Sequence, residues 1–400
     1  MKKRQPAPSE RASAASDAAP GRVPSPLVLH TLRQDLLAWF RRGHRDLPWR
    51  KTQNPYAIWI SEVMLQQTRT ETVKGYFERF MRQFPTVTDL ANAPLDDVLS
   101  LWSGLGYYSR ARNLHKAAQH LRDLHGGQFP TDPSDIEQLP GIGPYTAGAI
   151  RSIAFSQAAP IVDGNVVRVF SRLFALDERL DSPAGKTLYW TLARALLPNA
   201  APPGTPPKTQ NDPGDTNQAL MELGATVCLP KRPVCLSCPV ATLCQAHKEG
   251  RETDFPPEKP PRQVPTVQNV TLLLVCADEV LLVRRPEVGL WGGLWEPPTL
   301  PLQDGETATE GLARLCETRL GLQKVAEQTT ALPAFSHVLT HRKMVFQPFV
   351  LTYTVPPRLK PDGYTGHRFV PLHEPLGLGL SAWTTSLLAR VSDAGQPSLF

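Results

Sequence analysis

Four hundred residues are too many for one compact core, and a hydrophobic share of 41% is enough for ordinary globular cores, so a wholly disordered chain is excluded. Lys and Arg number 43 against 37 Asp and Glu, a formal net charge of +6 that permits a polyanionic partner without requiring one. No apolar run approaches the roughly 20 residues of a membrane-spanning helix, so no membrane partner is expected.

Proline stands at 41 residues, about twice the usual ~5%, and must gather in linkers and tails because it disrupts helices and sheets. Residues 1–26 have no hydrophobic periodicity and read as a disordered basic arm. Lys2, Lys3 and Arg4 are not followed by the apolar middle of a secretory signal, and Glu10 and Asp17 argue against a transit peptide. Residues 27–248 read as helices, among them TLRQDLLAWFRR, AIWISEVMLQQTRTETVKGYFERFMRQF, ARNLHKAAQHLRDLH and TLYWTLARALL. A Pro/Gly/Asn/Asp-rich loop insertion at 199–215 interrupts them. Residues 249–268, with Pro256, Pro257, Pro260, Pro261 and Pro265, form a stiff linker. Over 269–390 the period changes. VTLLLVCADEVLLVRR reads as two strands around a turn, ETATEGLARLCETRLGL as a helix and KMVFQPFVLTYTV as a strand, giving an α+β domain. Residues 391–400 read as a flexible tail, and no internal repeat is present.

Four of the six cysteines are close together, at Cys228, Cys235, Cys238 and Cys244, while Cys276 and Cys316 read as small core residues. With no secretion signal, that spacing argues for a metal site rather than disulfides. One loop of this kind can supply four thiolates to an iron–sulfur cube or to zinc, and spacing alone does not choose. Lys231 and Arg232 lie between the first two cysteines, where a stapled loop could offer both to phosphates. The plain alternative is two solvated charges.

LPGIGPYTAGAI carries Gly141 and Gly143 just ahead of a helix. Glycines permit a sharp turn and close backbone approach, and amides at a helix start suit a phosphate oxygen. A tight helix–helix turn without a ligand would look similar. Glu62 is the only charge in AIWISEVMLQQT, among Ile58, Trp59 and Val63. If it is not simply on an exposed helix face, its pKa should be raised and it should hold a proton near neutrality. Asp163 precedes a helix-like run with Asn165 nearby, and should stay ionised even if it is only an N-cap. One proton donor and one anion are what glycosidic cleavage requires.

LPWR (Leu47–Arg50), WISEVMLQQT (Trp59–Thr68), GLGYYSRARNLH (Gly104–His115), LPGIGPYTAG, VDGNVVRV and the cysteine loop together resemble the adenine DNA glycosylases of the MutY type, across residues 47 to 244. The resemblance implies a multidomain protein with a mainly α helix-hairpin-helix glycosylase core. It implies a 4Fe-4S cluster on the four cysteines and removal of adenine mispaired with 8-oxoguanine or guanine in double-stranded DNA. Glu62 would protonate adenine at N7. Asp163 would stabilise the sugar cation or add to it, with Tyr145 and Asn165 in support. Gln67, Leu105 and Tyr107 match positions that wedge between bases, and Trp49 and Arg50 match residues near the adenine pocket. The hairpin with Gly141 and Gly143 would hold the DNA backbone. Endonuclease III-like relatives carry a lysine where Tyr145 stands, and some members carry one where Val167 stands. A tyrosine cannot form an imine, so a monofunctional glycosylase is expected.

GLWGGLWEPP (Gly289–Pro298) and the helix ending at Gly321 resemble a Nudix-type fold. Leu315, Thr318 and Arg319 stand where that fold's metal-binding glutamates would be, so recognition fits better than hydrolysis. In the glycosylase family this domain inspects 8-oxoguanine through a Phe-Ser-His tip. FSHVLTHRKM departs from it: Thr340 and His341 are the favoured tip, and Ser336 is the alternative. The ending, Gln396-Pro397-Ser398-Leu399-Phe400, resembles the peptide that docks bacterial sliding clamps through Gln396, Leu399 and Phe400. A monomer in a bacterial cytoplasm, associated with the nucleoid, is expected. The competing readings are a bifunctional endonuclease III-like glycosylase/AP lyase, a non-catalytic iron–sulfur DNA-damage binding protein and a redox-sensing iron–sulfur protein.

Overall fold

The structure is a computed structural model and describes residues 23–198, 212–258, 264–324, 326–372 and 377–393. In chain order the first helices are α1 (Pro26–Gly43), α2 (Pro55–Leu65), α3 (Thr70–Gln83), α4 (Val87–Asn92), α5 (Leu95–Leu101) and α6 (Ser109–His125). Next come α7 (Pro133–Glu137), α8 (Pro144–Ala149), α9 (Gly164–Leu173), α10 (Pro183–Leu196), α11 (Asp212–Thr226) and α12 (Gln245–Lys248). The strands are β1 (Thr266–Cys276), β2 (Glu279–Arg284), β3 (Trp295–Glu296), β4 (Thr299–Pro301), β5 (Thr330–Ala331), β6 (Phe335–Val338), β7 (Lys343–Tyr353) and β8 (Gly366–Pro371). Two further helices, α13 (Ala308–Arg314) and α14 (Ala382–Asp393), complete the order. The chain forms two compact units. One holds residues 1–62, 130–138 and 142–259; the other holds 63–129, 139–141 and 260–400.

In the first unit, prolines open α1, α7, α8 and α10 at the position where a missing N–H costs nothing. Ser25, Asp132 and Ser182 cap the first, second and fourth of these through side-chain oxygens. The core joins Leu32 and Leu36 of α1 to Phe170 of α9, Tyr189 and Leu192 of α10, and Leu220 and Leu223 of α11. Within it the Tyr189 hydroxyl meets Ser171 Oγ at 2.7 Å, so the buried polar groups are paired. The expected loop at 199–215 is corrected at its end. Asp212 and Asp215 are in the first turn of α11, and both bind Arg41, at 2.7 and 2.8 Å. Acidic residues favour the positive end of a helix, and this pairing ties α11 to α1.

The second unit contains a helical part, α3–α6, and a sheet. Phe80 of α3 is fully buried, edge-on to Phe84 and Trp102. The sheet has the order β3-β2-β1-β7-β5, with β4 on β1, β6 on β7 and β8 on β2. β1 and β7 run parallel from Thr266↔Lys343 to Cys276↔Tyr353, and the other pairs are antiparallel. Val270, Leu272 and Leu274 of β1 face Leu312, Leu315 and Leu320 of the α13 region. Leu273 and Val275 face Trp383 and Leu387 of α14. This is the period-2 alternation of a strand buried on both sides. Two expected seams shift: β1 begins at Thr266, inside the stretch read as linker, and α14 continues to Asp393, into the stretch read as tail. Gln396, Leu399 and Phe400 lie outside the described residues.

Phe346 of β7 is fully buried and stacks on Trp383 at 4.3 Å. Truncating it removes both the apolar burial and the ring contact. Phe346→Ala should destabilise this unit by about 3–5 kcal/mol, measured as a shift of its urea unfolding transition. A change well under 1 kcal/mol would mean that the sheet does not depend on this contact.

Candidate active site

Helix α2 is apolar on every side, and that explains the state of its one acid. Ile58, Trp59, Ile60, Val63 and Met64 are buried, and Glu62 is only 4% exposed. The alternative of an exposed helical position is therefore ruled out. Tyr145, in the first turn of α8, donates its hydroxyl to Glu62 Oε2 at 2.7 Å. The Tyr145 hydroxyl oxygen also lies 3.1 Å from Met221 Sδ of α11. Burial pushes the Glu62 carboxyl up to about 7; the Tyr145 hydrogen bond opposes this, the Asp163 charge adds to it and Arg50 opposes it. Glu62 therefore exchanges a proton near neutrality, as its neighbours in sequence predict.

Asp163 is the N-cap of α9. Its Oδ1 accepts from the Val166 amide at 2.7 Å and its Oδ2 from Asn165 Nδ2 at 3.0 Å. Arg168 Nη2 holds the Asn165 amide from the other side at 2.8 Å, and also reaches the Gly224 carbonyl at 2.7 Å. Gly224 is required there, because a Cβ would stand 2.6 Å from Asn165 Cβ. The N-cap role and an anionic role thus coincide. Burial raises the Asp163 pKa from its usual value, and the hydrogen bonds from Val166 and Asn165 and the charge of Arg168 oppose that rise. Tyr145 responds to both acids. Burial, then the charges of Glu62 and Asp163, drive its pKa well above the usual value, so it remains a hydroxyl donor.

Arg50 and Trp49 come from the short turn Pro48–Arg50. Trp49 is buried. Arg50 lies over the Phe40 ring at 5.3 Å and binds Glu222 Oε2 at 2.8 Å. Arg45 binds the same carboxylate from its backbone at 3.0 Å and through its guanidinium at 2.7 Å. Burial works to raise the Glu222 pKa, but the two arginines hold it at about 2, so this buried acid stays an anion where Glu62 is partly protonated near neutrality. Val167 is buried on α9 and offers no amine.

Cys228, Cys235, Cys238 and Cys244 line one cavity with Arg172, His247 and Glu252, and its space including the open mouth is about 310 Å³. All four are free thiols. Burial, Glu252 and the neighbouring thiols push Cys235 to about 11, and burial with the neighbouring thiols pushes Cys238 to about 11. Four soft donors lining one space are a donor set suited to a cationic metal group. Cys235, His247 and Glu252 also bring single ligand atoms within 4.8 Å of one another. Arg172 organises the loop, donating to the carbonyls of Leu229 and Pro230, each at 2.7 Å, and lying 3.4 Å from Cys228 Sγ. Lys231 and Arg232 are exposed.

The hairpin glycines differ in purpose. Gly141 has φ +78 and a Cβ there would sit 2.6 Å from Asn113 Cβ, so it is required by backbone and packing together. Gly143 has an extended φ of −95 and faces open space, so a partner could approach its backbone. In the second unit Gln67 and Tyr107 are exposed and both adopt left-handed backbone, φ 57 and 49. Leu105, between them, is buried at 5% exposure. Thr340 and His341 are the exposed tip between β6 and β7, closed by Leu339 N–H to the Arg342 carbonyl at 2.9 Å. Ser336 is also exposed but lies along β6. The Thr340 and Tyr107 hydroxyls are hydrogen-bonded at 2.5 Å.

Two family models match: a helix-hairpin-helix superfamily base excision DNA repair protein over residues 60–190, and a NUDIX domain over 270–390. The chain is 37% identical over 380 residues to the adenine DNA glycosylase of Rattus norvegicus, spanning 80% of this chain and 70% of that protein. It is 32% identical over 316 residues to that of Buchnera aphidicola subsp. Acyrthosiphon pisum, spanning 79% and 86%. The chain belongs to the adenine DNA glycosylase family.

As a member of that family it is a hydrolase acting on DNA. Sequence reading missed three of the arginines and one acid that hold this glycosylase's site: Arg45, Arg168, Arg172 and Glu222. Glu222 had a signal, since it stands alone among apolar residues in QALMELGATVC much as Glu62 does in its own helix. The arginines had little, because apart from Asn165, three residues from Arg168, their partners are distant in sequence.

Removing the Tyr145 hydroxyl takes away a donor that favours ionised Glu62, so Tyr145→Phe should raise the Glu62 pKa further above 7. If protonated Glu62 is the active form, wild-type single-turnover excision falls as pH rises through about 7. In Tyr145→Phe the fall should begin at higher pH, whatever the change in maximal rate. An unmoved alkaline limb would remove Glu62 as its source.

Proposed function

We propose that this glycosylase excises adenine paired with 8-oxoguanine or guanine, with Glu62 as general acid and Asp163 as the anion that steadies the sugar. The observation that carries this reading is the buried Glu62 carboxyl, held by Tyr145 and within electrostatic reach of Asp163. With Oε2 engaged by Tyr145, the transferable proton sits on Oε1. It passes to N7 of the extruded adenine, and the C1′–N9 bond breaks with its electron pair leaving on the base. The cationic sugar that remains is met by the Asp163 carboxylate, which Val166 N–H and Asn165 aim. Asp163 either balances the charge or bonds to C1′ before water adds there and loses its proton to the site. Asn165 is itself held by Arg168, so the anion does not turn away.

The target base is stacked inside a duplex, and taking it out costs a few kcal/mol. Gln67 and Tyr107 supply the exposed side chains that fill the gap, while the hairpin around Gly143 takes a backbone phosphate, which fixes position without reading sequence. Trp49 and Arg50 border the adenine. Thr340 and His341 would face the opposite base, a reading that the hydrogen bond between the Thr340 and Tyr107 hydroxyls supports. The cysteines would hold a 4Fe-4S cluster, which when bound supplies a rigid staple for the loop that offers Lys231 and Arg232 to DNA. The ending at Gln396, Leu399 and Phe400 is proposed as a clamp-docking peptide.

Glu62→Gln keeps the shape and removes the proton. It should bind duplex containing A:8-oxoguanine as wild type does and lose single-turnover adenine release by about 10²–10⁴-fold. Neither wild type nor variant should be trapped on DNA by borohydride, because Tyr145 and Val167 offer no amine. Retained turnover removes Glu62 as the acid, and efficient trapping favours the lyase reading. Purified protein should be brown, with broad visible absorption that bleaches when iron is removed. Colourless protein carrying zinc would reject the cluster.

A further inference from the structure

Arg110 lies in the first turn of α6 and is 8% exposed, yet among the described residues no carboxylate pairs with it. Its guanidinium instead serves two separate stretches of backbone. Nη1 donates to the carbonyls of Val63 at 2.8 Å, Met64 at 3.0 Å and Gln66 at 2.6 Å. Nη2 donates to Leu105 at 3.1 Å and Gly106 at 3.0 Å, with Thr68 Oγ1 at 3.4 Å. The cation also lies 5.3 Å from the Trp102 ring centroid and 5.6 Å from that of Tyr107. The first group of carbonyls is the end of α2 and the turn into Gln67; the second is the turn into Tyr107. Carbonyls at a helix end have no partner within the helix, and here a cation satisfies them.

Both turns need outside support. Gln67 and Tyr107 are non-glycine residues in left-handed backbone, and such residues persist only where their surroundings hold them. Each is the exposed residue next to carbonyls that Arg110 binds. A planar fork with donors on two sides can hold two loops at a set distance, while an ammonium is a point charge with three donors and cannot cover both sets.

We propose that Arg110 is a positioning residue for base extrusion: one guanidinium braces the Gln67 and Tyr107 loops together, so that the two side chains enter the duplex as a single wedge. This rests on the wedge reading of those two residues given above. The bond from Tyr107 to Thr340 extends the brace to the tip that faces the opposite base, so a lost brace also loosens lesion reading.

The test uses the full chain with its bound cluster. Thr68 and Leu105 amides are hydrogen-bonded within the two turns and report on each. In Arg110→Lys both should exchange with deuterium about tenfold faster while core amides such as Phe170 do not change. Single-turnover adenine release from a paired A:8-oxoguanine duplex should fall about 100-fold, and release from an adenine already unstacked in a bulge should change little. Unaltered exchange in either turn, or equal losses on both substrates, overturns the brace. Faster exchange with undiminished release from the duplex leaves the brace standing and sinks the wedge reading. If Arg110→Lys does not fold, native-state exchange of the wild-type chain under rising denaturant decides. Thr68 and Leu105 should open together with a shared free energy, and separate openings overturn the proposal.

Discussion

A carboxyl group in an apolar helix, surrounded by Trp59, Ile58 and Val63, loses the water that would keep it ionised. Glu62 answers by binding its proton to about pH 7, and a single hydroxyl donor from Tyr145 stops that value from going higher. The balance is narrow. Burial alone would make a poor acid that never released its proton, and full hydration would make one that never carried it. The dependence on pH has a sign for stability as well. The folded chain holds a proton on Glu62 that the unfolded chain releases near the usual carboxylate value of 4.5, so this group's contribution is largest below that value. It is lost as pH rises through about 7.

The rest of the site is built so that its second acid differs. Asp163 and Glu222 are also withdrawn from water, but each has its oxygens engaged by donors: a backbone amide and Asn165 for one, Arg45 and Arg50 for the other. Three carboxyls in one unit thus occupy three electrostatic conditions, set by the number and charge of their partners. Arg50 contributes twice, holding Glu222 and lowering the pKa of Glu62. Separation of pKa values between neighbouring acids is what allows one to give a proton and another to remain an anion.

Buried and half-buried arginines that bind backbone carbonyls recur in this chain. Arg172 holds Leu229 and Pro230 in the cysteine loop, Arg168 holds Cys228 and Gly224 beside Asn165, and Arg110 holds the turns around Gln67 and Tyr107. Loops that carry function cannot rely on the repeated hydrogen bonds of helices and sheets. A guanidinium satisfies several carbonyls at once and gives an irregular turn one geometry.

Local signals were enough for the longer helices of the first part of the chain, the strands β1 and β2, the four clustered cysteines and the raised pKa of Glu62, because each depends on neighbours within a few residues. Gly141 was legible for the same reason, since its turn is written into its own string. What the tertiary structure alone decided were matters of distance across the chain. It buried Leu105, gave the Asp163 pKa an upward push, turned Asp212 and Asp215 from loop residues into partners of Arg41, and brought Glu222 to Arg45 and Arg50. Burial and ion pairing sum over everything that packs nearby, and those contributors are separated by up to 177 positions in sequence between Arg45 and Glu222. Composition and periodicity are local averages, and they carry no record of which distant group arrives.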